Sequence, residues 1–260
     1  DAQESRGLGD VYKRQSLLWR LDKLSFEGLR LFKCRFNGLP SNSRTTRGLV
    51  MRTLITCLFT LYPPNSPYFT QGSQREKEFV EGFRRFRKIY EEYLNEDFTV
   101  LLIENSVKSI EDIPQSIWDE LLPAKWSILL TQANDFGVHN KGAGILENYN
   151  LVANGGILQD FDWVIHFEPR LTLKDAFFFE KFIASPGSYF TKANDNQYFT
   201  GLFSMKTENL IDFISLVDVE KMVQTKTSLE DIIFQYMKDQ QPIELEKVCL
   251  LYTSPSPRDS

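Results

Sequence analysis

The residues best suited to chemistry lie at the end of one apolar segment, Phe161–Phe167. This segment is rich in β-branched and aromatic residues and is followed by Pro169, which predicts a buried strand that stops there. Successive strand side chains point to opposite faces, so His166 and Glu168 are predicted to share one face at its carboxyl end. That end is where open α/β sheets bind ligands. The pair could hold a divalent cation; the alternative is a buried histidine and a glutamate that forms an ion pair with Arg170.

A glycine-bearing loop supplies the second candidate. Residues 140–144 read Asn-Lys-Gly-Ala-Gly and precede a predicted helix. Glycines let the backbone approach a ligand closely, and the free N–H groups at a helix N-terminus bind anions. Glu147, one turn later, could contact the ligand or simply complement the helix N-terminus. The loop matches neither a Walker motif nor a full dinucleotide fingerprint, so an ordinary loop before a helix is the alternative.

Strands and helices that alternate along the chain would position these residues. Because parallel strands need a crossover of about the length of a helix, the alternation predicts an α/β fold, a three-layer open, mainly parallel sheet with helices on both faces. The second half is predicted to hold an aromatic helix and a small hairpin-like insert. The strands that precede Phe161 are predicted at Thr53–Tyr62, Phe98–Ile103 and Trp126–Leu130, and those of the insert at Gly187–Thr191 and Tyr198–Met205.

Charge and composition restrict the class of protein. Residues 51–248 carry 19 Lys and Arg against 29 Asp and Glu, which argues against nonspecific nucleic-acid binding. About 200 residues suffice for one ordinary domain. Cys57 lies alone in an apolar run, which predicts a buried thiol in a reducing, cytoplasmic compartment. No apolar stretch has the length of a transmembrane helix, although peripheral contact with a membrane stays open.

The two ends of the sequence differ from the rest. Residues 1–15 and 249–260 resemble translated sequencing-adapter sequence, a contaminant of metagenomic gene fragments. Residues 16–50 show no steady period, so we expect a doubtful leader, upstream DNA read in frame, with Met51 as the true start. The alternative is a real helical extension. A single domain over residues 51–248 is predicted.

Several of these features together resemble the GT-A fold of nucleotide-sugar glycosyltransferases, especially bacterial surface-polysaccharide enzymes. They are the order of elements, the glycine- and lysine-bearing approach to the third helix, and a fourth strand ending in alternate polar residues. The resemblance covers about residues 55–240. In that family the fourth strand ends in an Asp-x-Asp motif, whose carboxylates hold a divalent cation against the two donor phosphates. Residues 166–168 read His-Phe-Glu, which keeps the spacing but replaces the first carboxylate.

This departure leaves two implied forms of the site. One is a Mn²⁺ site formed by His166 and Glu168, since an imidazole suits Mn²⁺ better than Mg²⁺. The other is metal-independent, with Arg170 or Lys141 neutralising the departing diphosphate.

The resemblance also implies roles for residues in the loops. The exits of the first two strands would hold the base and ribose, and the glycine-bearing loop would contact the rest of the donor. The donor-binding residues predicted in this way are Tyr62, Asn65, Glu104, Asn105, Asn140, Lys141, Gly142, Gly144 and Glu147. Arg170 and Asp195 are the predicted catalytic residues. Asp195 would be the general base of an inverting mechanism, although an aspartate that merely forms the turn explains it too.

The function implied is a cytoplasmic glycosyltransferase that moves a sugar from a nucleotide-sugar donor to a glycan or glycolipid acceptor. One alternative is a non-catalytic module of the same fold that binds a glycan, a nucleotide or a protein, as the missing Asp-x-Asp suggests. The other is a sugar nucleotidyltransferase, against which the lack of a glycine-rich, basic loop directly after the first strand counts.

Overall fold

The computed structural model describes residues 51–62, 74–124, 126–246 and 250–251, the last two by their backbone alone. All of them belong to one compact unit, Leu49–Ser260. The predicted leader, residues 1–50, and most of the predicted tail lie outside the described residues. The domain boundaries at 51 and 248 therefore stay predictions.

Strands and helices alternate through the first half of the described chain and then give way to a mixed second half. The first half contains β1 (Thr53–Phe59), α1 (Gln74–Tyr93), β2 (Phe98–Glu104), α2 (Gln115–Leu121), β3 (Ser127–Leu130), α3 (Lys141–Asn154) and β4 (Trp163–Phe167). The second half contains β5 (Thr172–Leu173), α4 (Phe177–Ala184), β6 (Tyr189–Asn194), β7 (Gln197–Phe199), β8 (Leu202–Lys206), α5 (Thr207–Leu216), α6 (Val219–Thr225), α7 (Leu229–Met237), β9 (Ile243–Leu245) and β10 (Leu250–Leu251). Short 3₁₀ turns lie at Ile110–Asp112, Leu122–Ala124, Leu158–Asp160 and Lys238–Gln240.

The main sheet has the strand order β3-β2-β1-β4-β8. Strands β1 to β4 run parallel, and β8 pairs antiparallel with β4. This confirms the predicted α/β fold with a mainly parallel sheet. The segment predicted as one long second strand of the hairpin is divided: Gln197–Phe199 pairs with β6, whereas Leu202–Lys206 joins the main sheet. The division matters because it places Gly201 next to the end of β4, where its carbonyl accepts a hydrogen bond from the Glu168 amide.

Helices α1 and α4 cover one face of this sheet. Phe79, Phe83 and Phe86 recur at intervals of three or four along α1, so they form one apolar stripe, and all three are buried. The Phe86 ring lies 5.2 Å from that of Phe167 on β4 and 6.1 Å from that of Phe179 on α4. Packing of these rings fixes α1 against the sheet, with its N-terminus towards the carboxyl ends of β1 and β4.

Helix α3 packs on the opposite face. Asn140 caps it by accepting a hydrogen bond from the Ala143 amide, and it ends before Gly156, whose φ of +72° suits a residue without a side chain. The Tyr149 hydroxyl of α3 lies 2.6 Å from Thr56 Oγ1 of β1. Lys141, the first residue of α3, pairs with Glu168 just beyond β4, so the N-terminus of α3 lies at the carboxyl edge of the parallel strands. None of the helices in the described ranges is long and apolar enough to cross a membrane.

Candidate functional site

A cavity of about 280 Å³ lies at the carboxyl edge of the sheet. Strands β1 and β4 are neighbours there, although the chain leaves β1 towards β2 and comes back to β4 only later. Such a reversal of strand order opens a crevice between the loops, and ligands of open α/β sheets bind in that crevice. The described residues that line the cavity are Leu58, Phe59, Thr60, Arg75, Phe79, Asn105, Asn134, Gly137, Val138, Lys141, Gly144, Ile145, Glu168 and Arg170.

Five of the residues singled out from the sequence meet in this cavity. They are Asn105, Lys141, Gly144, Glu168 and Arg170. They come from two separate loops, after β2 and after β4, and from the first turn of α3, and the parallel order of the strands brings them to one edge.

An ion pair joins two of them. Lys141 Nζ lies 2.5 Å from Glu168 Oε1, with 58% of the lysine side chain exposed and 13% of the glutamate side chain. Burial acts to raise the pKa of Glu168, but the positive charges of Lys141 and Arg170 outweigh it, so its pKa lies below the ordinary value of 4.5. Glu168 is therefore a carboxylate at neutral pH, paired with Lys141.

Arg75, in the first turn of α1, is a cavity residue that the sequence reasoning missed. Its Nε and Nη2 atoms donate to the carbonyl oxygen of Thr60 at 3.2 and 3.0 Å, and its guanidinium lies over the ring of Phe79. Burial, together with the nearby charge of Arg170, lowers the pKa of Arg75 to about 10. Nothing in the sequence distinguishes this arginine from the other cations of α1, because only the tertiary fold brings it to Arg170.

Asn105 is held by the exit of β1. Its Oδ1 accepts a 2.7 Å hydrogen bond from Thr60 Oγ1, and the residue is 4% exposed. Thr60 therefore uses its hydroxyl to fix Asn105 and its carbonyl to fix Arg75.

The loop before α3 forms another wall. A Cβ atom added to Gly144 would lie 2.6 Å from the Cα of Gly137, so this close approach requires glycine. Glu147 lies outside the cavity lining, and its two oxygens accept hydrogen bonds from the amides of Asp135 and Phe136. Burial raises the pKa of Glu147. Its contacts make it a brace for the loop.

Glu104 is likewise outside the lining, and its carboxylate is fully occupied. It accepts hydrogen bonds from the amides of Leu61, Ser106 and Val107 at 3.0, 2.8 and 2.6 Å and from the Ser106 hydroxyl. Tyr62 does not line the cavity either, and its amide donates to Ser106 Oγ at 2.8 Å. These contacts tie the exits of β1 and β2 together. Asn65, the remaining residue predicted in this region, lies outside the described residues.

Three further candidates are not among the described lining residues. The Asn140 side chain caps α3 and donates to the Thr227 carbonyl at 2.9 Å. Gly142 packs against Leu229, whose Cβ would lie 2.5 Å from a Cβ at this glycine. Asp195 is exposed in the turn between β6 and β7 and is not among the lining residues.

His166 lies on the face of β4 that α3 covers. It is completely buried; its Nδ1 is 2.9 Å from the Tyr149 hydroxyl, and its ring stacks on Phe203. Burial lowers its pKa to about 4, so the imidazole is neutral at pH 7. Its Nε2 has no hydrogen-bond partner, and this polar atom is buried too.

The donor set of His166 and Glu168 does not fit a divalent cation as it stands. The carboxylate already pairs with Lys141, and a guanidinium of Arg170 lines the same cavity. Among the described residues, no three or more His, Cys, Asp or Glu side chains gather in a group that could hold a metal. A small dication prefers several oxygen ligands and would meet like charge here. The predicted Mn²⁺ site therefore stays a prediction.

The chain matches no family profile and no curated protein sequence. One solved structure that it resembles is a "putative nucleotide-diphospho-sugar transferase" from Desulfovibrio desulfuricans G20. The similarity has a TM-score of 0.45 and 11% sequence identity, and it covers 75% of this chain and 79% of the other. A likeness this weak carries no function to the present chain, which therefore has to be inferred from its own cavity.

Proposed function

We propose that this protein is a glycosyltransferase that binds a nucleotide-sugar donor in the cavity and passes the sugar to a glycan or glycolipid acceptor. The observation that carries the proposal is that two cations, Lys141 and Arg170, line one cavity with Glu168 at the carboxyl edge of β1 and β4, and that Lys141 pairs with Glu168 there. Cations in that position would stabilise the negative charge that develops on a departing nucleoside diphosphate.

The rest of the cavity agrees with such a ligand. Gly137 and Gly144 line the cavity next to Lys141, at the N-terminus of α3, where an anion is favoured. Asn105 and Thr60 add neutral polar groups at the exits of β1 and β2, suited to a base or a ribose.

We propose that this transfer needs no metal. In the metal-independent form, Lys141 and Arg170 supply the positive charge that a divalent cation supplies elsewhere. Glu168 then holds Lys141 in place until the donor phosphates bind.

The test measures the thermal midpoint of the protein with UDP-, GDP-, CMP- and dTDP-sugars, each with Mn²⁺ and with a chelator. Donor at about 100 times its Kd should raise the midpoint by about 5 to 10 °C in either condition. Lys141→Gln and Arg170→Gln should each remove most of that rise, and release of nucleoside diphosphate should fall with it. Lys88→Gln, at an exposed position on α1, is the matched control and should behave like the parent.

Three results would count against the proposal. An equal rise in the thermal midpoint of the parent and of both cavity variants would mean that the donor binds outside this cavity. A rise in the thermal midpoint that requires Mn²⁺ would overturn the metal-independent form and would favour a metal site at His166 and Glu168. Binding without any turnover, with glycan and glycolipid acceptors supplied, would favour the non-catalytic binding module.

A further inference from the structure

We propose that Glu168 controls which form of the ligand the cavity retains, by weakening the binding of the free nucleoside diphosphate relative to that of the nucleotide sugar. The inference rests on the proposed function, because it takes Lys141 as a residue that contacts the leaving phosphate. It gives a role to Glu168, the one carboxylate among the described lining residues. The released product would then leave the cavity more readily, and the next donor could bind.

The donor and the product differ in charge at one end. Transfer breaks the bond between the anomeric carbon and the phosphate oxygen, and that oxygen keeps the electron pair. The acceptor hydroxyl bonds to the sugar and releases its proton to the solvent. The terminal phosphate thereby changes from a diester with a single negative charge to a monoester, which carries about two at pH 8 because its second pKa is about 6.

The ion pair brings this added charge close to Glu168. Lys141 Nζ lies 2.5 Å from Glu168 Oε1. An ammonium has three N–H donors, so it can take a phosphate oxygen while it keeps the carboxylate. A phosphate oxygen at about 2.8 Å from that nitrogen would lie no more than about 5 Å from Glu168 Oε1.

Glu168 has little freedom to turn away from such a phosphate. Its amide donates to the Gly201 carbonyl at 2.8 Å, and its carbonyl accepts from the Leu171 amide at 2.9 Å. Only 13% of its side chain is exposed. The carboxylate therefore stays beside the phosphate, where it repels the second charge of the product as well as the single charge of the donor.

Coulomb's law gives the size of the effect. Repulsion between two unit charges about 5 Å apart changes a dissociation constant about fourfold in the dielectric of water and more than about a hundredfold in the dielectric near a protein surface. Lys141 is mostly exposed, so water and salt reduce the larger value. We therefore expect Glu168 to weaken the product about tenfold more than the donor.

The experiment compares UDP with UDP-glucose, and GDP with GDP-mannose, by titration calorimetry at pH 8 in the presence of a chelator. Glu168→Gln removes the charge and keeps an oxygen that can accept from Lys141. In this variant the nucleoside diphosphate should gain about tenfold more affinity than the nucleotide sugar. Glu168→Asp keeps the charge on a shorter side chain and should retain most of the parent's ratio of the two affinities.

Glu96→Gln is the matched control, because it removes the same charge at a distance. Glu96 is exposed just before β2, at the end of that strand opposite to the cavity. The strand is about 20 Å long, so the charge lies well beyond the screening distance of physiological salt. Both affinities should stay within about twofold of the parent values.

Three outcomes would overturn the role of Glu168. They are an equal gain of donor and product in Glu168→Gln, a loss of product affinity in that variant, and a Glu168→Asp variant that behaves like Glu168→Gln. In each case sugar transfer by the parent would leave the proposed function standing.

Failure of the proposed function has a different result. The ratio of the two affinities would shift in Glu168→Gln as expected, while no sugar is transferred from either donor. A parent that binds none of the four ligands would overturn the proposed function and this inference together.

Discussion

Glu104 and Glu168 lie at the same edge of the sheet, one ending β2 and the other following β4, yet their carboxylates have opposite kinds of partner. Glu104 is completely buried, and its oxygens accept three backbone amides and one hydroxyl from residues close to the strand ends. Glu168 pairs with the ammonium of Lys141, which reaches it from α3 and is mostly exposed.

The difference shows which carboxylate can respond to a ligand. Three of the four donors to Glu104 belong to the backbone of its own and the neighbouring loop, so they cannot leave without unfolding that edge. The partner of Glu168 is a long side chain with rotatable bonds, and a phosphate can compete for it. We therefore interpret Glu104 as a brace and Glu168 as part of the binding site, and three predictions test this contrast.

The largest effect is expected for Glu104→Ala. The change leaves the amides of Leu61 and Val107 buried, and that of Ser106 partly buried, without their acceptor, and each such group costs stability. The free energy of unfolding should fall by about 3 kcal/mol or more, as measured by urea denaturation.

The control for this variant is Glu96→Ala, at an exposed position between α1 and β2, which should leave stability close to that of the parent. A small effect of Glu104→Ala, with no compensating rearrangement, would show that the brace contributes little to the fold.

A smaller and different effect is expected for Glu168→Gln. The ion pair that it breaks is partly exposed, so the free energy of unfolding should fall by only about 1 kcal/mol or less. Pyrophosphate binding should instead become about tenfold tighter, because an anion that competes for Lys141 and Arg170 has been removed.

This second variant also separates the two forms of the site. If Glu168 were a Mn²⁺ ligand, Glu168→Gln would weaken binding in the presence of Mn²⁺. A loss of affinity in place of a gain would thus contradict the metal-independent site. Calorimetry with Mn²⁺ and with a chelator distinguishes these outcomes.

The smallest effect is expected for Lys141→Met and concerns the pKa of Glu168. Without Lys141, burial of the carboxyl is opposed by less positive charge, so the pKa of Glu168 should rise. An acid whose folded-state pKa is lowered adds stability that is complete above its unfolded pKa and is lost as the pH falls through the folded value. In Lys141→Met that loss should therefore be smaller and be complete at a higher pH.

The measurement is an NMR titration of the side-chain carboxyl carbons, followed in the parent and the variant. If the titration of Glu168 does not move, the ion pair does not hold that carboxylate in solution.

Much of the fold could be predicted from the sequence because its signals are local. The spacing of Phe79, Phe83 and Phe86 indicates a helix whatever lies around it, and apolar, β-branched runs indicate β1, β2 and β4. The antiparallel strand Leu202–Lys206 was not separated from its hairpin, since an apolar run does not say which sheet it joins. Pairing partners distant in sequence decide that.

Part of the site could also be predicted because its residues have recognisable positions in the sequence. Asn105, Lys141, Glu168 and Arg170 follow strands or precede a helix, and the carboxyl edge of a parallel sheet gathers such positions. Arg75 was not predicted because no sequence pattern around a cation in the first turn of a helix indicates that it lines a cavity.

The sequence by itself determined the α/β class, the buried stripe of α1 and the edge of the sheet at which polar residues collect, since all three depend on the local period of apolar side chains. The tertiary structure alone decided which carboxylates are braces and which face the cavity. That choice depends on which donors lie within about 3 Å, and loops distant in sequence supply several of them. Glu104, Glu147 and Glu168 look alike along the chain, and only their neighbours in space separate them.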